Sequence, residues 1–136
     1  MKYKIYCDGS IEPVNPGGIA TFGYIIYLGE TLIDYDYGEI CRGEGATNNV
    51  AEYSAVIKAL ENENLEANTE VIIYSDSQLV VNTMSGTWGI HKAHLRKLAN
   101  EILALKEKFR IVYYKWIPRE QNFEADNLSR KAYLEI

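Results

Sequence analysis

Apolar and polar positions along the chain change period several times, and each change marks the border of an element. Lys2-Tyr3-Lys4-Ile5-Tyr6 is short, alternating and rich in aromatic and β-branched residues, which predicts a strand. A turn dense in glycine and proline follows, with Gly9, Pro13, Pro16, Gly17 and Gly18. Gly18 to Leu28 predicts a second strand, in which Gly23 marks a bulge or a close approach. The turn Leu28-Gly29-Glu30-Thr31 leads to a third, Thr31 to Ile40, where Leu32, Asp34, Asp36 and Gly38 face opposite to Ile33, Tyr35 and Tyr37. Three strands joined by short turns make an antiparallel meander.

Gly43 and Gly45 end that pattern, and Thr47-Asn48-Asn49 supplies capping chemistry for a helix running to about Glu63. Tyr53, Val56, Ile57 and Leu60 form its buried stripe, with Glu52 on the margin and turned toward the sheet. A first-turn carboxylate is also favoured by the helix dipole, so two roles for Glu52 stand side by side. Glu70 to Ser75 is nearly continuous in apolar residues, the form of a buried parallel strand. It ends at Ser75-Asp76-Ser77-Gln78 and passes into a short helix carrying Leu79, Val80 and Met84, closed by Ser85-Gly86-Thr87. His91 to Phe109 predicts an amphipathic helix with Leu95, Leu98, Ile102, Leu105 and Phe109 inward and its two histidines on a solvated face. Arg110 to Ile117 is the fifth strand, stopped by Pro118. A last helix from near Glu120 turns Ala125, Leu128 and Ala132 inward, with Asn122 and Asp126 sharing the adjoining face.

The order βββαβααβα predicts an α/β fold. Its five-stranded mixed sheet has β1–β3 antiparallel, β4 and β5 parallel, and helices on its flanks. No repeat, linker or low-complexity tract interrupts it, so residues 1–136 read as a single domain. A hydrophobic fraction of 47% and a charged fraction of 24% are ordinary for a soluble globular protein. With no apolar run of membrane-span length and no signal-peptide core, a cytoplasmic monomer is expected, with no membrane partner. Cys7 and Cys41 define neither a disulfide framework nor a metal-ligand spacing; free thiols are the default, with one interstrand bridge left open. The net charge of −5 argues mildly against a nucleic-acid partner. Divalent cations held by acidic residues would invert that local field.

Asp8 falls where the first predicted strand stops, and Asp76 where the fourth does. Ligands of open α/β sheets bind at such carboxyl ends. Asp8-Gly9 is also a common turn dipeptide, and Asp76 a common helix cap. Glu52 and Asp126, near the starts of two helices, bring the number of candidate carboxylates to four. Together they would repel one another, and hard divalent ions such as Mg²⁺ or Mn²⁺ resolve that conflict. Two such ions ~3.5–4 Å apart clamp the attacking and leaving oxygens of a phosphoryl displacement. No P-loop and no Ser-His-Asp or Cys-His arrangement points to another chemistry.

Four segments together resemble type 1 ribonuclease H over nearly the whole chain. They are Asp8-Gly9-Ser10 with Asn15-Pro16-Gly17-Gly18, Thr47-Asn48-Asn49-Val50-Ala51-Glu52, Ser75-Asp76-Ser77-Gln78, and Asn122-Phe123-Glu124-Ala125-Asp126. The resemblance implies a ribonuclease H-like fold and endonucleolytic cleavage of the RNA strand of RNA–DNA hybrids. It implies two Mg²⁺ ions, replaceable by Mn²⁺, held by Asp8, Glu52, Asp76 and Asp126. It sets Gly9, Ser10, Asn15, Thr47, Asn48, Asn49, Ser77 and Gln78 against the hybrid, with Arg119 and Trp88. Neutral amides such as Asn15, Asn48, Asn49 and Gln78 suit the reading of a 2′-OH, and also suit capping and turns. Trp88 suits packing on deoxyribose, and equally the filling of a core.

Two departures from the family pattern stand out. The connection Ile117-Pro118-Arg119-Glu120-Gln121 carries no histidine, and Trp88-Gly89-Ile90 runs straight into His91-Lys92 without a basic protrusion. A non-cleaving binding module of the same fold, or a related nuclease acting on another duplex, are the alternatives; the four carboxylates argue against the first.

Overall fold

Glycine-rich turns let β1 (Lys2–Glu12), β2 (Gly17–Leu28) and β3 (Thr31–Gly43) pair in succession as an antiparallel meander. In the computed structural model, which describes residues 1–136, β4 (Glu70–Ser75) then lies parallel to β1, and β5 (Ile111–Trp116) parallel to β4. The sheet order is β3-β2-β1-β4-β5, the five-stranded mixed sheet that the element order predicts. The helices are α1 (Asn48–Leu60), α2 (Gln78–Met84), α3 (Ala93–Leu105) and α4 (Phe123–Leu134). α1 packs on β1 and β2 with α3 against it, while α4 packs on β1, β2 and β3. No helix is long and apolar enough to cross a membrane.

Alternation decides which residues meet these helices. Tyr3, Ile5 and Cys7 of β1 and Val71 and Ile73 of β4 are buried in one core with Val56 and Leu60 of α1 and Ile102 of α3. Full burial of each such aliphatic side chain contributes about 1.5–3 kcal/mol relative to exposure, enough to hold strained features elsewhere. Cys7 is part of that core and, like Cys41, is a free thiol.

Several borders differ from the sequence expectation, each for a local reason. β1 does not stop at Tyr6: its parallel pairing with β4 ends at Tyr6↔Tyr74, but its antiparallel pairing with β2 continues to Glu12↔Ile19. Asp8-Gly9 is therefore strand, not a turn. α1 ends at Leu60 rather than Glu63, because Asn62 turns its amide to Tyr24 and Asp34 while its side-chain oxygen takes the Asn64 N–H. α3 spans less than His91 to Phe109, closing in a 3₁₀ turn at Lys106–Lys108 that still buries Phe109. A second 3₁₀ turn, Arg119–Gln121, precedes α4, which begins at Phe123 and not at Glu120.

The alternation expected in β3 fails at a register shift between Ile26↔Asp34 and Tyr27↔Leu32. The extra residue, Ile33, packs against the core, whereas Tyr37 on the other side bonds Glu135 after α4. Gly23 marks a close approach and no bulge. A Cβ there would lie 2.6 Å from both Ala125 O and Ser129 N of α4.

Gly23→Ala must therefore push α4 off the sheet, an overpacking that costs about 1–3 kcal/mol. Urea unfolding of the metal-free variant is expected to show that loss as a lower midpoint with an unchanged slope. An unshifted midpoint would show that α4 does not rest on Gly23.

Candidate functional site

The site forms where β1 and β4 part. Asp8 and Asp76 each lie two residues beyond the last parallel pair, Tyr6↔Tyr74, so the strand register sets them at one level. Past Ser75 the β4 chain turns away into α2, and the Trp116 indole N–H holds the Asp76 carbonyl at 3.1 Å. The opposite side of β1 admits α1 because residue 9 is glycine. A Cβ at Gly9 would lie 2.2 Å from Ala51 C and 2.5 Å from Glu52 N. The Gly9 N–H donates to Glu52 Oε1 at 2.7 Å and aims that carboxylate at Asp8.

One oxygen from each of Asp8, Glu52 and Asp76 falls within 4.8 Å of the others. They floor a crevice of about 400 Å³, whose walls include Ser10, Asn48, Ser77 and Arg119. The simpler roles of these carboxylates fall away. Glu52 is in the second turn of a helix that starts at Asn48, with no acidic residue in its first turn, so the helix dipole does not account for it. The cap of α2 is Ser77, whose Oγ accepts from the Val80 N–H, and not Asp76.

Asp126 lies at the edge of this trio. Its carboxylate lies 3.7 Å from Arg119 and 3.4 Å from Arg130. Its carboxylate nevertheless borders the trio, acting directly on Asp8 and by charge on Asp76, and Ser129 adds a second link, its Oγ 2.9 Å from Asp126 O and 3.1 Å from Asp8 Oδ2. Asn122, fully buried at the start of α4, donates from Nδ2 to Cys7 O at 2.8 Å. The pairing of β1 with β4 has stopped one residue earlier, so this amide gives the Cys7 carbonyl a partner where the sheet opens.

The remaining candidates divide. Thr47 caps α1 through the Val50 N–H, and Asn15 and Asn48 exchange hydrogen bonds that tie the β1–β2 turn to the start of α1. Ser10 bonds Thr21 across the strand pair. Asn49 lies in the first turn of α1, and Gln78 is exposed at the start of α2. Trp88 is 46% exposed on the loop after α2 and fills no core. Ser129 escaped the sequence reading. Its signal was its place one turn after Asp126, on the same helix face.

Burial and mutual repulsion dominate the electrostatics. Burial first, then Glu52 and Asp76, push the Asp8 carboxyl up to about 10. Burial and Asp76 push Glu52 up to about 8 against the opposing pull of the Gly9 N–H. Asp76 is raised by burial, with Arg119 opposing. Glu52 Oε2 is buried without any hydrogen-bond partner. An orphaned carboxylate oxygen among crowded hard oxygen donors fits a divalent cation, which would satisfy the atom and cancel the repulsion.

Comparison with known proteins gives a consistent result. Residues 7–132 match the reverse transcriptase-like family. The chain is 37% identical over 134 residues to the bifunctional protein Rv2228c of Mycobacterium tuberculosis, covering 97% of this chain and 35% of that protein. It thus spans about a third of that curated relative's length. It superposes on RNase H1 of the halophilic archaeon Halobacterium salinarum with a TM-score of 0.89 at 28% identity, over 100% of both chains. LC11-RNase H1, solved in complex with an RNA/DNA hybrid, aligns with a TM-score of 0.85 at 31% identity, over 96% of this chain and 95% of that one.

The raised carboxyls predict a pH dependence of the metal-free fold. Above pH ~4 the unfolded chain ionises freely, while folded Glu52 and Asp8 keep their protons until about 8 and about 10. The folded state then binds more protons, so stability is fully present at low pH and falls as pH rises through that window. Asp34 and Glu39, held low by Asn62 and Arg42, act in the opposite sense, but only below the ordinary carboxylate range. Melting temperature in chelator is expected to drop from pH 5 to pH 9, and Asp8→Asn to flatten the drop. A profile level or rising over that range would show that the carboxylates are not crowded.

Proposed function

The chain belongs to the reverse transcriptase-like family and, within it, to the type 1 ribonucleases H, and from that premise we propose that it is a metal-dependent endonuclease cutting the RNA strand of RNA–DNA hybrids. The observation that carries this reading is the convergence of Asp8, Glu52 and Asp76 at the parting of β1 and β4, with one oxygen of Glu52 buried and unpartnered. That LC11-RNase H1 has been solved with a hybrid supports the substrate class. The same reading takes residues 1–136 as one domain working as a cytoplasmic monomer.

Asp8, Glu52, Asp76 and Asp126 are the residues that would hold two Mg²⁺ ions, with Mn²⁺ as a substitute. Bound metal would supply charge neutralisation, Lewis acidity and a more acidic water. The chain's own groups supply the placement. The Gly9 amide keeps Glu52 turned inward. Arg119, on the crevice wall, offers a guanidinium that can attract a phosphate. Gly9, Ser10, Asn48 and Ser77 line the crevice, and Asn48 is braced by Asn15. Their amides and hydroxyls offer donors and acceptors to a 2′-OH, the group that separates RNA from DNA. Thr47, Asn49, Gln78 and the exposed Trp88 surround that surface, with Trp88 suited to the deoxyribose of the opposite strand.

Labelled hybrid, double-stranded RNA and double-stranded DNA incubated with Mg²⁺, Mn²⁺ or chelator test the reading. Hybrid alone is expected to be cut, and only with metal; undiminished cutting in excess chelator would sink it. Because Ser77 caps α2, Asp76→Asn removes one charge and leaves the cap intact. Its rate is expected to fall by orders of magnitude while hybrid binding in chelator survives. A folded Asp76→Asn protein with the parent rate would end the metal mechanism. Arg119→Ala is expected to slow cleavage roughly tenfold, about 1.4 kcal/mol, with Arg119→His tolerated. Complete inactivity of the folded alanine variant would assign Arg119 a larger role than phosphate attraction.

A further inference from the structure

We propose that Ser129 is a positioning residue for Asp8, holding its carboxylate in the orientation that receives the metal; this rests on the reading of Asp8 as a ligand. The three carboxylates are not supported alike. Glu52 receives the Gly9 N–H at 2.7 Å, and the Arg119 charge acts on both Glu52 and Asp76. Asp8 has no such help: its charged neighbours Glu52, Asp76 and Asp126 are all acidic. Its one hydroxyl donor is Ser129 Oγ, 3.1 Å from Asp8 Oδ2.

The serine itself is fixed from two sides. Thr21 Oγ1 donates to the Ser129 carbonyl at 2.8 Å, and the missing side chain of Gly23 lets the Ser129 amide lie directly on β2. Thr21 and Ser129 are both fully buried, so neither hydroxyl can trade its bond for water. The competing acceptor for the Ser129 proton is Asp126 O at 2.9 Å. That carbonyl lies inside α4, where the regular helical ladder already supplies a donor. As a metal ligand Asp8 would be a carboxylate, a stronger acceptor than a helix carbonyl that already has its donor, so the serine proton belongs to it. Partners of this kind, one bond behind a metal ligand, set the ligand's orientation, and their removal typically weakens metal binding roughly 10–100-fold.

Three variants of the full chain test this, with Mn²⁺ affinity by calorimetry as the first readout and hybrid cleavage as the second. Ser129→Ala removes the donor. Ser129→Cys fills the same space with a much weaker donor, and Ser129→Thr keeps the hydroxyl. Both Ser129→Ala and Ser129→Cys are expected to bind Mn²⁺ roughly 10–100-fold more weakly. Their kcat should fall with KM for hybrid unchanged, and their melting temperature in chelator should stay near the parent's. Ser129→Thr should restore Mn²⁺ affinity; where its extra methyl prevents folding, the alanine and cysteine variants decide alone. Parent-like Mn²⁺ affinity in folded Ser129→Ala overturns the proposal, as does a loss confined to melting temperature. A parent protein that binds Mn²⁺ but leaves hybrid uncut would refute the nuclease reading, while the Mn²⁺ comparison would still judge Ser129. A parent that binds no Mn²⁺ refutes both.

Discussion

Carboxylates crowded where water is scarce repel one another, and the surrounding fold is arranged to withstand that repulsion. Asp8 and Glu52 are among the few buried charged side chains, and the charge they share with Asp76 falls on a single level of the sheet. Left to themselves these groups would spread apart or keep their protons. What prevents spreading is the rigidity of their carriers. Asp8 is locked in a long strand paired to β2, Glu52 rides on the best-buried face of α1, and Asp76 is tethered through its carbonyl to Trp116. The repulsion is local, whereas the apolar contacts that oppose it extend through the whole core between sheet and α1–α3.

The elements were legible because hydrophobic period is a strong signal; their relation in space was not. Tyr3, Ile5, Val71 and Ile73 announce strands in any register, but nothing local says that Tyr6 pairs with Tyr74 and so brings Asp8 level with Asp76. The first strand was cut short for a related reason: Asp8-Gly9-Ser10 has turn composition, and only tertiary pairing with Gly23, Phe22 and Thr21 makes it strand. Asp76 and Ser77 are equally good caps by type, so composition alone could not say which serves α2. The four carboxylates stood out through their motifs; three of them meet most closely, and Asp126 borders them while also holding two arginines. Ser129 and Asn122 were quiet because each acts through one hydrogen bond to a residue more than a hundred positions away.

Two glycines do comparable work on opposite sides of the sheet. Gly9 lets α1 reach β1, and Gly23, its near neighbour across the β1–β2 pair, lets α4 reach β2. Neither requires an unusual backbone conformation; each supplies an absent side chain. The sheet is thereby pinched between two helices at the level of Asp8, and the thinness of that waist allows side chains from both helices to meet one strand.

The docking of α4 on the meander also has a consequence for the order in which the molecule matures. The ribosome delivers β1, β2 and β3 well before residues 123–134, and all three strands wait for the helix that completes them. Until α4 arrives, the Cys7 carbonyl lacks its Asn122 partner and Asp8 lacks its hydroxyl donor. A nascent chain can therefore carry Asp8, Glu52 and Asp76 while the crevice they line is still incomplete. The acidic crevice is complete only once α4 has settled on the sheet.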